Sequence, residues 1–275
     1  MPRYAFLVDV DKCNGCYNCF MACKDEHIGN SHFPWAEKTC NGVKLIDIVC
    51  REHGSGSKIK VDYYPVFCRQ CEDPECARKL PEGAVTKTEE GVVLFKSSAL
   101  KGIALSEDIC PYGALAWNEE LQIIQKCDFC IHLLKNGEKT TRCAESCPTG
   151  ALVFGDLDDP NCELYGLLHD NNRDMSNRVK YINMTSPFIA GEVITSDNQC
   201  LSEVTVSLYH VCGNNKRLIK TEQTDFLGDF QFKYLEQGEF QLDFTKNGYK
   251  TTEQNIILNQ SINLGTICLN RMEEV

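Results

Sequence analysis

The sequence lacks any run of about 18 apolar residues, so no membrane-spanning helix is predicted. It also lacks an excess of positive charge, since 39 Asp and Glu residues outnumber 28 Lys and Arg residues and give a net charge of −11. Nucleic acids and anionic membranes are bound by basic patches, so both partner classes are disfavoured. The N-terminal residues contain no apolar stretch typical of a secretory signal. We therefore expect a cytoplasmic protein, unless a signal-bearing partner exports it.

Cysteine is what the sequence has in abundance. Fifteen of the 18 cysteines precede residue 163, and only Cys200, Cys212 and Cys268 follow it. A disulfide framework is the alternative to metal ligation, but such frameworks are typical of much shorter secreted domains. The cysteines also recur in short, regular clusters, which favours metal ligands over crosslinks.

Four cysteine runs carry the pattern. The first has the ferredoxin spacing, in which three cysteines bind one [4Fe–4S] cluster and the fourth reaches another. Zinc sites usually show isolated pairs instead of three cysteines in seven residues. The later runs are partial copies, two of which end in Cys-Pro-x-Gly-Ala. The twelve residues are Cys13, Cys16, Cys19 and Cys23; Cys68, Cys71 and Cys76; Cys110; and Cys127, Cys130, Cys143 and Cys147.

Exchange of the last cysteine between paired runs divides these twelve residues into three complete ligand sets. The first set is Cys13, Cys16, Cys19 and Cys147; the second set is Cys23, Cys127, Cys130 and Cys143; the third set is Cys68, Cys71, Cys76 and Cys110. Four positions that the ferredoxin pattern would fill with cysteine hold Leu80, Leu100, Ile103 and Ser106. All four would belong to one further cluster. We therefore predict three clusters, with apolar side chains filling the space of a lost fourth.

The other cysteines and the histidines give weaker signals. Each remaining cysteine is interpreted as a reduced, mostly packed thiol, although a Cys40–Cys50 pair or metal site and a Cys200–Cys212 disulfide stay open as alternatives. The six histidines are scattered along the sequence, and each is interpreted as a surface or packed residue. No residue has the pattern of a catalytic acid, base or nucleophile. The remaining cysteines are Cys40, Cys50, Cys162, Cys200, Cys212 and Cys268, and the histidines are His27, His32, His53, His132, His169 and His210.

The texture of the chain predicts an α+β protein in three parts. Residues 1–160 form the cysteine-rich ferredoxin-type domain, with strands expected at 4–9 and 92–95. Residues 161–187 are interpreted as a polar connector. Residues 188–275 show about seven short apolar or alternating segments separated by Gly- and Asn-rich turns, which predicts an all-β sandwich or small barrel.

The runs, their order and the Cys-Pro-x-Gly-Ala tails resemble the four-cluster subunits of the dimethyl sulfoxide reductase group of molybdopterin enzymes. This resemblance covers residues 1–160 and implies a double ferredoxin-like domain beside a large catalytic partner that holds molybdenum bis-molybdopterin guanine dinucleotide. The lost cluster and the β region are most similar to the small subunits of pyrogallol–phloroglucinol transhydroxylases. Residues 191–193, 224–230 and 247–249 also resemble transthyretin-like or immunoglobulin-like β-sandwiches.

The resemblance implies a non-catalytic electron-transfer subunit of a heterodimer, or of multiples of it, that transfers hydroxyl groups between polyhydroxybenzenes. Two alternatives stay open. One is the electron-transfer subunit of a respiratory or dissimilatory molybdopterin reductase or dehydrogenase. The other is a free polyferredoxin with a β binding module.

Overall fold

A computed structural model describes residues 2–169, 177–213 and 215–272. The chain divides into two compact units. The first contains Met1–Cys50 and Tyr63–Met184, and the second contains Arg51–Asp62 and Thr185–Val275. The domain bounds expected at 160 and 188 stay a prediction. No helix within the described ranges is long and apolar enough to cross a membrane.

The first unit is built from short strands and short helices between the cysteine runs. Its strands are β1 (Tyr4–Asp9), β2 (Ile46–Ser55), β3 (Lys58–Phe67), β4 (Val85–Lys87), β5 (Val93–Phe95), β6 (Ala116–Asn118), β7 (Ile123–Gln125), β8 (Leu152–Asp156) and β9 (Val179–Ile182). Its helices are α1 (Asn18–His27), α2 (Glu75–Lys79), α3 (Ser97–Leu100), α4 (Ile131–Lys135), α5 (Arg142–Glu145) and α6 (Glu163–His169), with 3₁₀ turns at Val10–Lys12 and Glu107–Ile109. Strands β2 and β3 pair as a hairpin whose tip, Arg51–Asp62, belongs to the second unit.

Strand β1 is the centre of a three-stranded sheet. It pairs antiparallel with β8, in a register that places Phe6 opposite Phe154, and parallel with β9. The Phe6 ring is completely buried and lies 5.0 Å from the ring centroids of both Phe67 and Phe129. Because β1 and β8 run in opposite directions, the end of β1 and the start of β8 lie at the same edge. That edge carries the first cysteine run and Cys147.

The segment expected to be a connector contributes structure to the first unit. Leu164 and Leu168 lie one helical turn apart on α6, are almost completely buried, and pack with Ala5 and Leu7 of β1. Strand β9 extends the sheet on the other side of β1. Residues 170–176 of the expected connector lie outside the described residues.

The second unit contains two sheets that share one apolar core. Its strands are β10 (Ile189–Thr195), β11 (Thr205–Cys212), β12 (Asn215–Gln223), β13 (Asp229–Phe232), β14 (Gly238–Thr245), β15 (Thr252–Leu258) and β16 (Ile262–Leu269). The sheet orders are β13-β10-β16 and β12-β11-β14-β15. Alternate residues of both sheets, such as Val193, Leu208 and Phe244, are completely buried in the same cluster. This arrangement explains the period of two in the sequence.

A buried carboxylate joins two segments of the second unit. Asp62 accepts hydrogen bonds from the backbone N–H of Thr185 (2.9 Å) and from its hydroxyl (2.6 Å), and it lies 3.0 Å from His53 Nε2. Burial alone would raise the pKa of this carboxyl. The bonds from Thr185 and the positive charges of His53 and Lys60 outweigh burial, so the pKa lies below its ordinary value.

We therefore expect Asp62→Asn to destabilise the second unit by about 1.5–3 kcal/mol at neutral pH, because it removes hydrogen bonds to a charged group. A depressed carboxyl pKa stabilises the fold above the unfolded pKa of about 3.9 and ceases to do so as the pH falls through the folded value. The difference between wild type and Asp62→Asn should shrink as the pH falls below about 4 and through the folded pKa. Hydrogen exchange of the β10 amides measures it, with the exposed Glu239→Gln as control; a difference that does not change with pH would contradict this assignment.

Candidate metal centres

The first set converges at the end of β1. Cys13 follows the 3₁₀ turn at Val10–Lys12, Cys19 lies in the first turn of α1, and Cys147 precedes β8. Asp9 N–H donates to the carbonyl of Ala151 (2.8 Å), which holds the two chain segments together. The pKa of Cys13 is raised first by burial and then by the charges of Cys147 and Cys16, so these thiols are close neighbours.

The first loop requires its glycine. Gly15 has φ +70°, and a Cβ built there would lie 2.7 Å from the Tyr63 ring. A larger residue would therefore be strained in both backbone and packing. The Gly15 N–H hydrogen-bonds to Cys13 and lowers the pKa of that thiol. The loop conformation thus supplies a backbone donor to a sulfur.

Hydrogen bonds stabilise the thiolate form of Cys147. Burial raises the pKa of this thiol, but the N–H groups of Leu152, Thr149 and Ala151 and the Thr149 hydroxyl, 3.7 Å away, hold it below its ordinary value. Hydrogen bonds to sulfur also stabilise cluster ligands and tune their potentials. In contrast, burial and the nearby Cys143 raise the pKa of Cys19 to about 12.

The second set is the most deeply buried. Cys23 lies on α1 and Cys143 on α5, and these two helices pack against each other. Burial, followed by the charge of Cys143, raises the pKa of Cys23 and Cys127 well above the ordinary value. Thiols packed this closely resist ionisation together, whereas a bound metal deprotonates coordinating thiols outright. The arrangement therefore suits a metal group in which all four are thiolates.

The third set lines one cavity. Cys68, Cys71, Cys76 and Cys110 all contribute to its wall, and its volume is about 310 Å³. A zinc ion draws four sulfurs to about 2.3 Å and leaves no such space. Burial raises the pKa of Cys76 to about 11, and Cys68 and Cys110 contribute to that increase. The donors and the space fit a polynuclear iron–sulfur cluster better than a single ion.

The four positions at which the sequence lacks the expected cysteines also lie close to one another, with one exception. Leu80 and Leu100 are buried in one apolar cluster, against which Ile103 is packed. Ser106 is exposed instead, and its hydroxyl donates to Asp108. Three of the four positions thus form a small core, as the sequence predicts.

We expect Leu100→Ala to lower the free energy of unfolding of the first unit by about 2–5 kcal/mol, because Leu100 is completely buried. The iron content should not change, since no ligand is altered. Anaerobic denaturant titration measures the loss, with Ser106→Ala as control within about 0.5 kcal/mol. Loss of iron from Leu100→Ala under conditions in which the protein stays folded would mean that this core holds one of the ligand sets in place.

The six remaining cysteines differ from the expectation of mostly packed thiols. Cys40 and Cys162 are partly buried, but Cys50, Cys200, Cys212 and Cys268 are exposed. The expectation was wrong for these four, because Cys50, Cys212 and Cys268 lie on strands that turn one face to solvent and Cys200 lies in the loop between β10 and β11. No disulfide joins any of the 18 cysteines, all of which lie within the described residues.

Three histidines come together beside the second set, which the sequence did not predict. The His32 and His132 rings are stacked with centroids 3.6 Å apart, and His132 Nε2 lies 3.0 Å from Glu26 Oε1. His27 is 2 % exposed, and its Nε2 lies 4.0 Å from Cys130 Sγ. Burial lowers the pKa of His27, which favours its neutral form. The only sequence signal was proximity, since His27 follows Cys23 by one helical turn and His132 follows Cys130 by two residues.

Burial works against the ionised form of Glu26 at the centre of this group. It would raise the pKa of the carboxyl, but the hydrogen bond and charge of His132, followed by His27 and His32, hold the pKa below its ordinary value. Arg142 Nε also lies 3.2 Å from Glu26 Oε2. These contacts join α1, α4 and α5. Helix α1 carries Cys23, α5 carries Cys143, and α4 directly follows Cys130.

Comparison with known proteins agrees with this geometry. Residues 59–157 match the 4Fe-4S dicluster domain family. The chain is 30% identical over 283 residues to the pyrogallol hydroxytransferase small subunit of Pelobacter acidigallici, covering 98% of this chain and 100% of that protein. It is 33% identical over 187 residues to a tetrathionate reductase subunit of Salmonella typhimurium, covering 68% and 71% respectively.

A third relative is a subunit of the anaerobic dimethyl sulfoxide reductase of Escherichia coli, with 33% identity over 171 residues, 57% of this chain and 75% of that protein. Among solved structures, a Streptococcal ancillary pilin aligns with 34% of each chain at 16% identity and a TM-score of 0.28, which is too low to carry an argument. The first two relatives are matched over two thirds or more of their own length, at identities of 30% and 33%, and the convergence of the cysteines is consistent with that relationship. The chain therefore belongs to the family of iron–sulfur electron-transfer subunits that includes the pyrogallol hydroxytransferase small subunit and the tetrathionate reductase subunit.

Proposed function

We propose that this chain holds three [4Fe–4S] clusters, one on each of the three ligand sets, as the electron-transfer subunit of a molybdopterin enzyme. The observation that carries the proposal is the grouping of the thiols. All but one of the cysteines whose pKa is raised by neighbouring thiols have at least one such neighbour from their own set. The exception is Cys143 of the second set, which is influenced by Cys147 of the first. The first and second sets also influence each other, through Cys19 and Cys143. The thiols that raise the pKa of Cys71 and Cys76 all belong to the third set.

The chain's own residues would position the clusters and exclude water. Bound clusters supply one-electron storage and transfer, at potentials set by hydrogen bonds, charge and solvent exposure. Backbone N–H groups and threonine hydroxyls donate to the sulfurs of Cys143 and Cys147. The reaction itself would occur at molybdenum bis-molybdopterin guanine dinucleotide on a large partner, so this chain has no catalytic residue in the proposal.

The assembled enzyme is proposed to transfer hydroxyl groups between polyhydroxybenzenes. Support comes from the Pelobacter acidigallici relative, whose alignment extends over 98% of this chain and thus over the β unit. The tetrathionate and dimethyl sulfoxide reductase subunits align with 68% and 57%. The same proposal assigns 1–160 to a double ferredoxin-like domain, 161–187 to a connector and 188–275 to a transthyretin-like or immunoglobulin-like sandwich. A cytoplasmic location fits the free cysteines.

Iron analysis and activity test the proposal separately. The purified complex should contain about twelve iron and about twelve acid-labile sulfide per copy of this chain, in addition to molybdenum on a larger partner. A content near sixteen or near four would refute the three-cluster assignment. Elution without a partner would favour a free polyferredoxin.

A reductase role is the second candidate, because the tetrathionate reductase subunit of Salmonella typhimurium is 33% identical to this chain. If the proposed hydroxyl transfer is correct, the complex should convert pyrogallol in the presence of a tetrahydroxybenzene cosubstrate with no added electron donor. Turnover that requires a reduced dye and a terminal acceptor such as tetrathionate would instead assign the chain to a reductase.

A further inference from the structure

Lys126 is a buried cation between the second and third sets. It is 7 % exposed, and its ammonium donates to the backbone carbonyls of Val93 and Cys127, the latter at 3.1 Å. Backbone acceptors fix its position more firmly than a mobile side chain would. The same residue lines the cavity formed by the third set. Within the part of the chain that the structure describes, no carboxylate forms an ion pair with it.

Asp128 is a buried acidic residue that directly follows Cys127 in the sequence. It is 4 % exposed, and its Oδ1 accepts the N–H of Cys130 at 2.9 Å. Its Oδ2 has no hydrogen-bond partner among the described residues. A carboxylate oxygen of Asp128, a ring nitrogen of His27 and the sulfur of Cys130 lie within 4.8 Å of one another. The carboxylate is therefore directed at the second set.

The two charges act in opposite directions on their nearest thiols. Lys126 lowers the pKa of Cys76, which burial raises. Burial raises the pKa of Cys23 and Cys130, and the charge of Asp128 adds a smaller increase to each. A positive charge beside a cluster favours added negative charge on that cluster, and a negative charge beside it opposes that change. The Coulomb energy falls with distance, and Lys126 lines the third-set cavity whereas Asp128 lies beside Cys130 of the second set.

We propose that Lys126 and Asp128 order the cluster potentials, so that an electron resides on the third-set cluster in preference to the second-set cluster. This inference rests on the proposed three-cluster function. One-electron reduction adds a negative charge to a cluster, which the Lys126 ammonium stabilises at the third set and the Asp128 carboxylate opposes at the second. With the fourth cluster replaced by the core around Leu100, the third set is a storage site instead of a relay.

The test is an anaerobic, dye-mediated redox titration of the purified complex, with the reduced clusters followed by electron paramagnetic resonance. Lys126→Met should lower the reduced-to-oxidised ratio of one cluster at least tenfold at fixed potential, a shift of about 59 mV for one electron. The affected signal should be the one that Cys110→Ala lacks. Asp128→Asn should raise the ratio for a different cluster, one that Cys110→Ala retains.

Lys250→Met is the matched control, because it removes one exposed positive charge from the other unit. Lys126→Arg should keep the wild-type order, since it keeps the charge. Shifts in Lys126→Met no larger than in Lys250→Met would overturn the proposal, as would a shift in a cluster that Cys110→Ala retains.

Two readouts keep the outcomes separable. An iron content other than about twelve in the wild type would refute the proposed function itself, whereas a correct iron content with unshifted potentials refutes only this inference. Where Lys126→Met does not retain its iron, the wild-type titration decides. The signal that Cys110→Ala lacks must then be reduced at a higher potential than the signal that Asp128→Asn shifts, and the reverse order overturns the proposal.

Discussion

Cys110→Ala is expected to remove one cluster and leave two, so that iron falls from about twelve to about eight per chain. Cys110 is distant in sequence from the other third-set residues but lines the same cavity as Cys68, Cys71 and Cys76. A [4Fe–4S] cluster is held by four cysteine thiolates, and no other cysteine among the described residues lines that cavity to replace Cys110. The loss should therefore be complete at this site.

The other two clusters should persist, because the thiols that influence the third set all belong to it. The first and second sets are instead coupled through Cys19 and Cys143. Iron, sulfide and resonance spectra of the purified complex measure the result. Cys50→Ala is the control, since this cysteine is exposed and outside every set. Loss of all iron in Cys110→Ala would show that the three sites assemble as one unit, and no loss would remove Cys110 from the ligand set.

Features that depend on local pattern could be predicted from the sequence. The strand at Tyr4–Asp9 was confirmed, because a short apolar run directly precedes the first cysteine loop. Most strands of the second unit were also expected from their period of two. Strand β12 was missed because nearly all of its residues are exposed at the edge of its sheet, so that its sequence has no alternation to read.

Features that depend on tertiary contact could not be predicted. The histidine group at Glu26 forms because α1, α4 and the segment around His32 meet in the fold. The spacing of residues within any one of these segments does not predict that contact. Helix α6 was not predicted because 161–187 is mostly polar, and only two buried leucines of this helix pack on β1. The tip of the β2–β3 hairpin belongs to the second unit, and the residues of the hairpin carry no pattern that predicts this.

Removal of the clusters is expected to unfold the first unit and leave the second folded. Buried Cys19, Cys23 and Cys143 belong to the main core of the first unit, so the clusters would be part of that core. Structural metal sites contribute about 10–16 kcal/mol to small metal-binding domains, which is comparable to the whole stability of a typical domain, about 5–15 kcal/mol. The iron-free first unit would also retain closely packed thiols around the emptied space.

The second unit has no such dependence. Its cysteines, Cys200, Cys212 and Cys268, are exposed, and its core consists of apolar side chains from both sheets. After iron is removed by oxidation and chelation, amides of β1 and β8 should lose their protection from hydrogen exchange, whereas those of β11 and β14 should keep it. The iron-loaded protein is the control. Continued protection of β1 and β8 would mean that the aromatic packing around Phe6 holds the first unit without its clusters, and loss at β11 would mean that the second unit depends on them.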